Sequence, residues 1–397
     1  FGQKLVEFVP DDDMDADMVK VFHNDKGLSD KRKKWLAEYD PTGYKQFDNG
    51  PGVSKMSVSN FLNHYMIQFS LADCERNIPN LMDGLKQSQR KVLYGCLKRK
   101  LKSDMKVASL AGYITEHTKY HHGEVSLQDT IKGMASCYTG GNNLPLLARS
   151  GEMGSRISGG KDSASARYVE THLENITRLI IPECDDCLLN NMIDDGVFVE
   201  PEFYVPCIPM VLANPCKAAI GTGWSSTIPG FNPLDLIRCI KIWLDNDGCA
   251  ADEEGNSLFP DLLPWYRGFR GVIEQIDTNK FMTYGIIDRI DESTVVVREL
   301  PVGMWTEDFE SMLQDMKAEK DPKKMKIKSF RINYTVSEVY FEIDEERGFT
   351  CDENTLKLSK PVNTSNMVLF NEQHQLQTFT SPHDIIDQYC RVKYEYT

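Results

Sequence analysis

No run of about 18 consecutive apolar residues occurs in this chain of 397 residues, so no membrane-spanning helix is expected. No basic-then-apolar leader opens it, and the first residue is Phe1 rather than Met, so the start reads as a cut inside a longer polypeptide. The eleven cysteines form no framework. Cys184 and Cys187 come nearest to one, but Asp185 and Asp186 stand between them and no second pair follows. That argues against a zinc site and, with an odd number of thiols, for a reducing compartment. Positive charge is in deficit: 45 Lys and Arg face 59 Asp and Glu, a net charge of −14, which argues against a generic polyanion binder. Internal repeats and low-complexity tracts are absent. Gly221-Thr222-Gly223 lacks the third glycine and the strand–helix frame of a nucleotide-binding loop.

What is present is ordinary globular material, 41% hydrophobic and 26% charged, long enough for two or three domains. The charge is unevenly placed. Acids cluster at Asp11–Asp13, Asp185–Asp186, Asp194–Asp195, Asp252–Glu254 and Asp344–Glu346. The stretch from Lys86 to Lys106 holds Lys86, Arg90, Lys91, Lys98, Arg99, Lys100, Lys102 and Lys106 against the single Asp104. A local stripe of one sign matters more for phosphate contact than the total does; the alternative is a solvated helix face.

Residues 1–55 read as an ill-defined lead-in with one helix around Asp30–Tyr39 and a loop at Asn49-Gly50-Pro51-Gly52. A helix is expected from Val58 to Leu71. Residues 78–182 read as a compact helical block. Asn80 and Asp83 are candidate caps for a helix through Leu97, a second helix lies around Lys106–Leu110, a third follows His121-His122-Gly123-Glu124, and Gly140–Asn143 is a turn. Short helices, a basic stripe and glycine-bearing connections fit a helix-turn-helix or winged-helix unit. From Glu200 the texture changes. Pro201, Pro206, Pro209 and Pro215 break helices, Asn232-Pro233 starts one, and β-branched alternation over 271–300 reads as a β-meander, followed by strands at Ile327–Tyr334 and Val339–Ile343. This is a second, α+β domain, closed by a helix through Ile385 and Tyr396.

The candidate chemistry lies between Gly159 and Tyr168. A flexible Gly159-Gly160 turn precedes Lys161. Asp162 and Ser163 are potential helix caps, and Val169, Leu173, Ile176 and Ile180 then recur at helical spacing. Tyr168 would therefore stand near a helix start, beside the cations Lys161 and Arg167. A tyrosine is about one part in a thousand phenolate at neutral pH, a deficit of roughly 4 kcal/mol for a nucleophile. A nearby arginine or a helix N-terminus offsets part of that. The bland alternative is a rim tyrosine. His121 and His122 are either a solvated pair beside Tyr120 or a proton acceptor and phosphate contact. Ile220, in the loop Ala219–Gly223, is either a core residue or an apolar wedge for base steps.

Taken together, five ordered strings resemble the breakage-reunion core of the type IIA DNA topoisomerases. They are Asn77-Ile-Pro-Asn-Leu-Met-Asp-Gly-Leu-Lys-Gln-Ser-Gln-Arg-Lys-Val-Leu-Tyr-Gly95, Tyr120-His-His-Gly-Glu124, Gly159-Gly-Lys-Asp-Ser-Ala-Ser-Ala-Arg-Tyr168, Glu200-Pro-Glu-Phe-Tyr-Val-Pro206 and Ile220-Gly-Thr-Gly-Trp-Ser225. The His-His-Gly-Glu and Gly-Thr-Gly-Trp-Ser forms are similar to the eukaryotic or large-DNA-virus branch.

The resemblance implies an α+β chain: residues 1–77 as a lead-in from the TOPRIM side, 78–215 as a winged-helix (CAP-like, helix-turn-helix) domain, 216–380 as an α/β tower domain, and 381–397 as the start of a coiled-coil arm to the C-gate. It implies Tyr168 as the nucleophile that forms a 5′-phosphotyrosyl link, with Arg167, Arg90 and His122 at the scissile phosphate. Ile220, Lys161, Arg156, Lys91, His121 and Lys86 would meet DNA. It also implies double-stranded DNA as partner, a homodimer, and Mg²⁺ and ATP bound in TOPRIM and ATPase domains that are not found in this chain. The acidic run Asp11–Asp17 is read as having no strand before it and not as that metal site. The location implied is the nucleus, or a cytoplasmic site of viral DNA replication. The alternative is a DNA-binding and bending module without chemistry; a protein-interaction scaffold is a third reading. Two departures stand out. Lys86-Gln87-Ser88-Gln89-Arg90 replaces Lys-Pro-Gly-Gln-Arg, and Arg149-Ser150-Gly151 stands where Pro-Asn-Gly is common.

Overall fold

The computed structural model describes residues 5–23, 25, 27–39, 53–321 and 324–396. The turn signal at Asn49–Gly52 lies outside them. Two compact units divide the chain: residues 1–78 with 218–226, and residues 79–217 with 227–397.

In the first unit, β1 (Leu5–Val9) pairs in parallel with β2 (Val53–Ser57), Leu5 facing Val53 and Val9 facing Ser57. Helices α1 (Met14–Phe22) and α2 (Leu28–Ala37) lie between them in sequence. Ser57 caps α3 (Val58–Phe61) by accepting from the Asn60 N–H at 3.2 Å. A π-helical turn (Leu62–Met66) leads into α4 (Ile67–Asn77), so the helix expected to end at Leu71 runs on by six residues. Two expectations are corrected. The lead-in is not without form, and a strand, β1, does precede the acidic run. The carboxylates of that run are nonetheless committed. Asp11 accepts from the Ser59 hydroxyl at 2.6 Å and the Ser59 N–H at 3.0 Å, while Asp17 accepts from Lys20 at 2.5 Å and Asn63 at 2.7 Å.

The second unit begins with three packed helices, α5 (Gln87–Lys98), α6 (Val107–Thr118) and α7 (Glu124–Ala135). Val92, Leu93, Cys96, Leu110, Ala111, Ile114, Leu127 and Ile131 repeat at three- and four-residue intervals and are fully buried. Gly95 lets α5 and α6 touch, since an added Cβ would stand 2.7 Å from Ile114 Cγ1. The turn before α5 uses the expected polar residues differently: Asn80 and Asp83 accept from the backbone N–H groups of Met82 and Leu85, not from those of the helix. Gln89 Oε1 accepts the Lys86 N–H at 2.9 Å and holds the helix start where the resemblance leads one to expect a proline.

A two-residue ladder joins β3 (Met105–Lys106) to β4 (Glu170–Thr171). After α8 (Thr177–Ile180) come the hairpin β5–β6 (Asn191–Asp194, Val197–Pro201), α9 (Met210–Ala213), the hairpin β7–β8 (Cys216–Gly221, Trp224–Ile228) and α10 (Pro233–Asp245), capped by Asn232. The expected single meander is two sheets. In one, β9 (Val272–Asp277) and β10 (Lys280–Tyr284) join the later β15 (Ser359–Asn363). In the other, β11 (Ile286–Arg289), β12 (Thr294–Glu299), β14 (Phe341–Glu345) and β13 (Ile327–Ile332) lie in that order. The break falls at Gly285, where a Cβ would meet the Glu299 carbonyl at 2.4 Å. Helix α11 (Thr306–Ala318) closes a core between this sheet and Phe309, Leu313, Leu356 and Leu358. The hairpin β16–β17 (Met367–Phe370, Leu376–Phe379) and α12 (Pro382–Tyr396) return to the larger core. There Leu236, Trp243, Met367, Ile385 and Tyr389 bury with the residues of α5–α7. That core therefore draws on both sides of residue 215. Among the described residues no helix is long and apolar enough to cross a membrane.

Candidate functional site

Tyr168 is 74% exposed and does not begin a helix. The helical spacing of Val169, Leu173, Ile176 and Ile180 is coincidental, and only Thr177–Ile180 is α-helical. The residues after Tyr168 run extended. Ser150 and Glu170 exchange both backbone hydrogen bonds (3.2 and 2.9 Å), and the Ala148 N–H donates to the His172 carbonyl at 2.8 Å. Strand alternation buries Val169 and Thr171. Thr171, polar by type, hides that period in the sequence, and its hydroxyl is satisfied by the Ala148 carbonyl at 2.7 Å.

A helix start does lie beside Tyr168, but it belongs to α6. The N–H of Val107 donates to the Val169 carbonyl at 3.0 Å, and that of Ala108 to the Ala166 carbonyl at 3.1 Å. These bonds fall on either side of Tyr168 in sequence and use the first two amides of a twelve-residue helix, whose dipole turns its positive end toward them. A phosphate finds a favourable field there. The Arg167 guanidinium lies 5.9 Å from the Tyr168 ring centroid, and both side chains are exposed. Further along the ladder, His172 Nδ1 stands 2.7 Å from Asp104, which also accepts from Ser150 Oγ at 3.1 Å; these bonds, His172 first, hold the Asp104 carboxyl below the usual carboxylate range.

The Gly159-Gly160 turn is clamped, not flexible. Both glycines have positive φ; a Cβ on Gly159 would meet the Trp305 ring at 2.3 Å, and one on Gly160 the Tyr138 hydroxyl at 2.8 Å. Tyr138 donates to the Gly159 carbonyl at 2.9 Å. Asp162 caps no helix and instead ties the loop back to Ser155, accepting from its N–H at 2.9 Å and from its hydroxyl. Burial raises the Asp162 pKa, but these bonds outweigh it and hold the carboxyl below its ordinary value. The start of α11 docks on the same loop, with Thr306 and Glu307 donating to the carbonyls of Arg156 and Ile157.

The candidate cations divide into two groups. Arg90, Lys91 and Arg156 are buried, at 7, 8 and 3% exposure. Arg90 makes a bidentate pair with Asp83 (2.7 and 3.0 Å), Lys91 reaches Glu200 at 2.7 Å and the Thr118 carbonyl at 2.7 Å, and Arg156 meets Glu299 at 2.5 Å. Lys91 and Arg156, expected at DNA, are thus held inside the molecule, since a buried charge needs its partner. Lys161, Arg167, Lys98, Arg99, Lys100 and Lys102 are exposed, and Lys86 is half-buried at the start of α5. His122 is exposed and stands edge-on to Tyr120 with ring centroids 5.4 Å apart; His121 Nε2 is 3.4 Å from Asp194.

Ile220, in the first unit, is 69% exposed on the β7–β8 hairpin. The hairpin tip is fixed around it. Cys74 Sγ donates to the Thr222 carbonyl at 3.4 Å, Thr222 Oγ1 to Asp73 at 3.1 Å, and Ser29 Oγ to the Gly223 carbonyl at 3.3 Å.

Sequence reasoning passed over Tyr138, Trp305, Glu299 and Lys217, which frame the loop. Lys217 carried a signal, a single cation within the apolar run Cys216–Ile220. Among the described residues no group of three or more His, Cys, Asp or Glu could hold a metal ion. With Asp11 and Asp17 already bonded, these residues do not fit the implied Mg²⁺. Gly221-Thr222-Gly223 is a hairpin tip, with Cys74 3.0 Å from a Cβ placed on Gly221, and offers no phosphate cradle for ATP.

Comparison with known proteins agrees with this architecture. The family of DNA gyrase and topoisomerase IV A-subunits matches residues 76–397. The probable DNA topoisomerase 2 of Dictyostelium discoideum is 38% identical over 90% of this chain and 26% of its own length. The DNA topoisomerase 2 of Saccharomyces cerevisiae is 38% identical over 95% of the chain and 27% of its length. That of Invertebrate iridescent virus 6 is 36% identical over 98% and 33%. The crystal structure of the Plasmodium falciparum topoisomerase II DNA-binding, cleavage and re-ligation domain superposes with a TM-score of 0.85 at 36% identity, covering 98% of this chain and 52% of that one. The chain spans about a quarter to a third of the length of these full relatives. By the extent of these matches, it belongs to the type IIA DNA topoisomerases, in the family that holds the A-subunits of DNA gyrase and topoisomerase IV.

Proposed function

We propose that this chain is the strand-cleaving core of a type II DNA topoisomerase and that Tyr168 is its nucleophile. One observation carries the reading: an exposed phenol in a segment fixed by backbone bonds to the positive end of α6 at Val107 and Ala108. The Tyr168 oxygen attacks a backbone phosphorus, a 5′-phosphotyrosyl bond forms, and the bond to the 3′ oxygen breaks, that oxygen leaving as a hydroxyl with the proton that the phenol gives up. The phosphodiester energy is kept, so resealing is the reverse step. Arg167 offsets charge on the phosphate, and Arg90, its charge paired with Asp83 and its plane fixed by that pair, is the second arginine assigned to the scissile phosphate. His122 accepts the phenol proton or bonds a non-bridging oxygen. Lys161 and Lys86 meet neighbouring phosphates. Helices α5–α7 with the β3–β4 ladder serve as the winged-helix unit, and the sheets from β9 to β15 as the tower.

Ile220 serves as the wedge at a DNA bend, which costs on the order of 1–6 kcal/mol. Two strands need two tyrosines, hence a symmetric homodimer that passes a second duplex through the break. Relatives of this class generally use Mg²⁺ and ATP. Among the described residues no group of three or more His, Cys, Asp or Glu could hold the metal, and no step here runs through either.

The test uses the full-length protein that carries this chain, with supercoiled plasmid, Mg²⁺ and a cleavage-trapping drug. Wild type should yield protein-linked linear DNA and Tyr168→Phe none. Equal yields would overturn the assignment, and DNA bending with no covalent product from wild type would leave the chain a binding module.

A further inference from the structure

Lys217, an exposed cation on β7, has no carboxylate partner among the described residues. Its ammonium lies 5.0 Å from the Tyr138 ring centroid and 5.2 Å from that of Trp305. Its only hydrogen-bond partner among the described residues is the Tyr138 hydroxyl oxygen, at 3.3 Å. Tyr138 spends its own hydrogen on the Gly159 carbonyl, so its lone pair receives the lysine and leaves two ammonium N–H groups unspent. No carboxylate of a described residue stands within 4 Å of it, whereas Lys91 is answered by Glu200 and Arg90 by Asp83.

Beside this ammonium opens a cleft of about 280 Å³, lined by Lys86, Gln89, Ser136, Asn142, Tyr138 and Lys217. Asp83 also borders it, but its oxygens already accept from Arg90, from the Leu85 N–H and from the Tyr204 N–H. Lys86 likewise has no carboxylate partner among the described residues, and it is close enough to exert a positive field on Cys216, at the cleft wall. The cleft therefore presents two cations, several neutral donors and no uncompensated acid. Its volume admits a phosphodiester group and several waters at roughly 30 Å³ each. Partial desolvation also pushes the Lys217 ammonium down to about 8.

We propose that Lys217, with Lys86 across the cleft, binds a backbone phosphate of duplex DNA. The proposal rests on the reading that this chain acts on DNA. The Lys217–Tyr138–Gly159 hydrogen bonds tie that phosphate contact to the loop that presents Lys161.

The test is a salt titration of binding to a short synthetic duplex, with the full-length protein. Lys217→Gln should lower the slope of log affinity against log salt by about one, the loss of one phosphate contact, and Lys217→Arg should restore it. On wild type, the duplex should protect Lys217 from acetylation, read by mass spectrometry, so the result does not depend on the variant folding. An unchanged slope in Lys217→Gln, or acetylation that DNA does not slow, overturns this proposal and leaves the cleavage reading intact. A wild-type slope near zero overturns both.

Discussion

Helix α5 carries cations at both ends of its sequence, and the two ends behave oppositely. Arg90 and Lys91, near its start, are folded inside against Asp83 and Glu200; Lys98, Arg99, Lys100 and Lys102, at and beyond its end, stand in solvent. The same division recurs around Tyr168, where Arg156 is locked to Glu299 and Lys161, five residues later, is exposed. A stripe of one sign in sequence is thus a mixture. Buried members are structural charges whose removal unbalances a carboxylate in low dielectric, and exposed members are free to exchange counterions for phosphates.

The largest effect should come from breaking a buried pair. Glu200→Ala leaves Lys91 enclosed without its partner and should cost ~3–5 kcal/mol in denaturant unfolding, while the paired replacement Lys91→Met with Glu200→Leu should recover most of it. A loss below about 1 kcal/mol would place Lys91 with the surface cations and dissolve the comparison.

Next comes the loop itself. Gly159→Ala puts a methyl 2.3 Å from the Trp305 ring at a φ of +66°, so the loop must shift or strain by on the order of 1–3 kcal/mol. Because the loop carries Lys161, DNA cleavage should fall more than global stability does. Equal melting temperatures and equal cleavage would show that the clamp is not needed.

Acid should loosen the same loop. The Asp162 pKa is depressed in the folded state, so its contribution is present above the unfolded carboxylate value, about 3.9, and is lost as pH falls through the folded value. Hydrogen exchange at the Ser155 amide, which Asp162 accepts at 2.9 Å, should quicken relative to other loop amides below about pH 4 in wild type and show no such acid step in Asp162→Asn. The same step in both would assign it to another carboxylate.

Much of this was legible in the sequence, and the misses share a cause. Asn232-Pro233 marked α10, and the β-branched runs marked β9–β14, because caps and alternation are local signals. The Tyr168 segment misled because four apolar residues at helical spacing outweighed a strand whose inward position, Thr171, is polar; its partners at 105–106 and 148–150 are remote in sequence. Burial of Lys91 and Arg156 was equally hidden, since Glu200 and Glu299 lie more than a hundred residues away. The resemblance located Tyr168, but only the fold shows that the helix start beside it belongs to α6.

The smallest effect on stability should belong to the residue with the largest effect on chemistry. Tyr168 is 74% exposed, and the bonds that fix its segment are made by backbone atoms of its neighbours, so removing its hydroxyl creates no cavity and orphans no buried donor. Tyr168→Phe should unfold within about 0.5 kcal/mol of wild type while losing all covalent DNA product. Lys161→Gln and Arg167→Gln should likewise leave unfolding unchanged, yet each should flatten the salt dependence of DNA binding by about one contact. A destabilised Tyr168→Phe would mean that the phenol is a packing residue, and the contrast between an enclosed framework of paired charges and an open reactive edge would fail at its central residue.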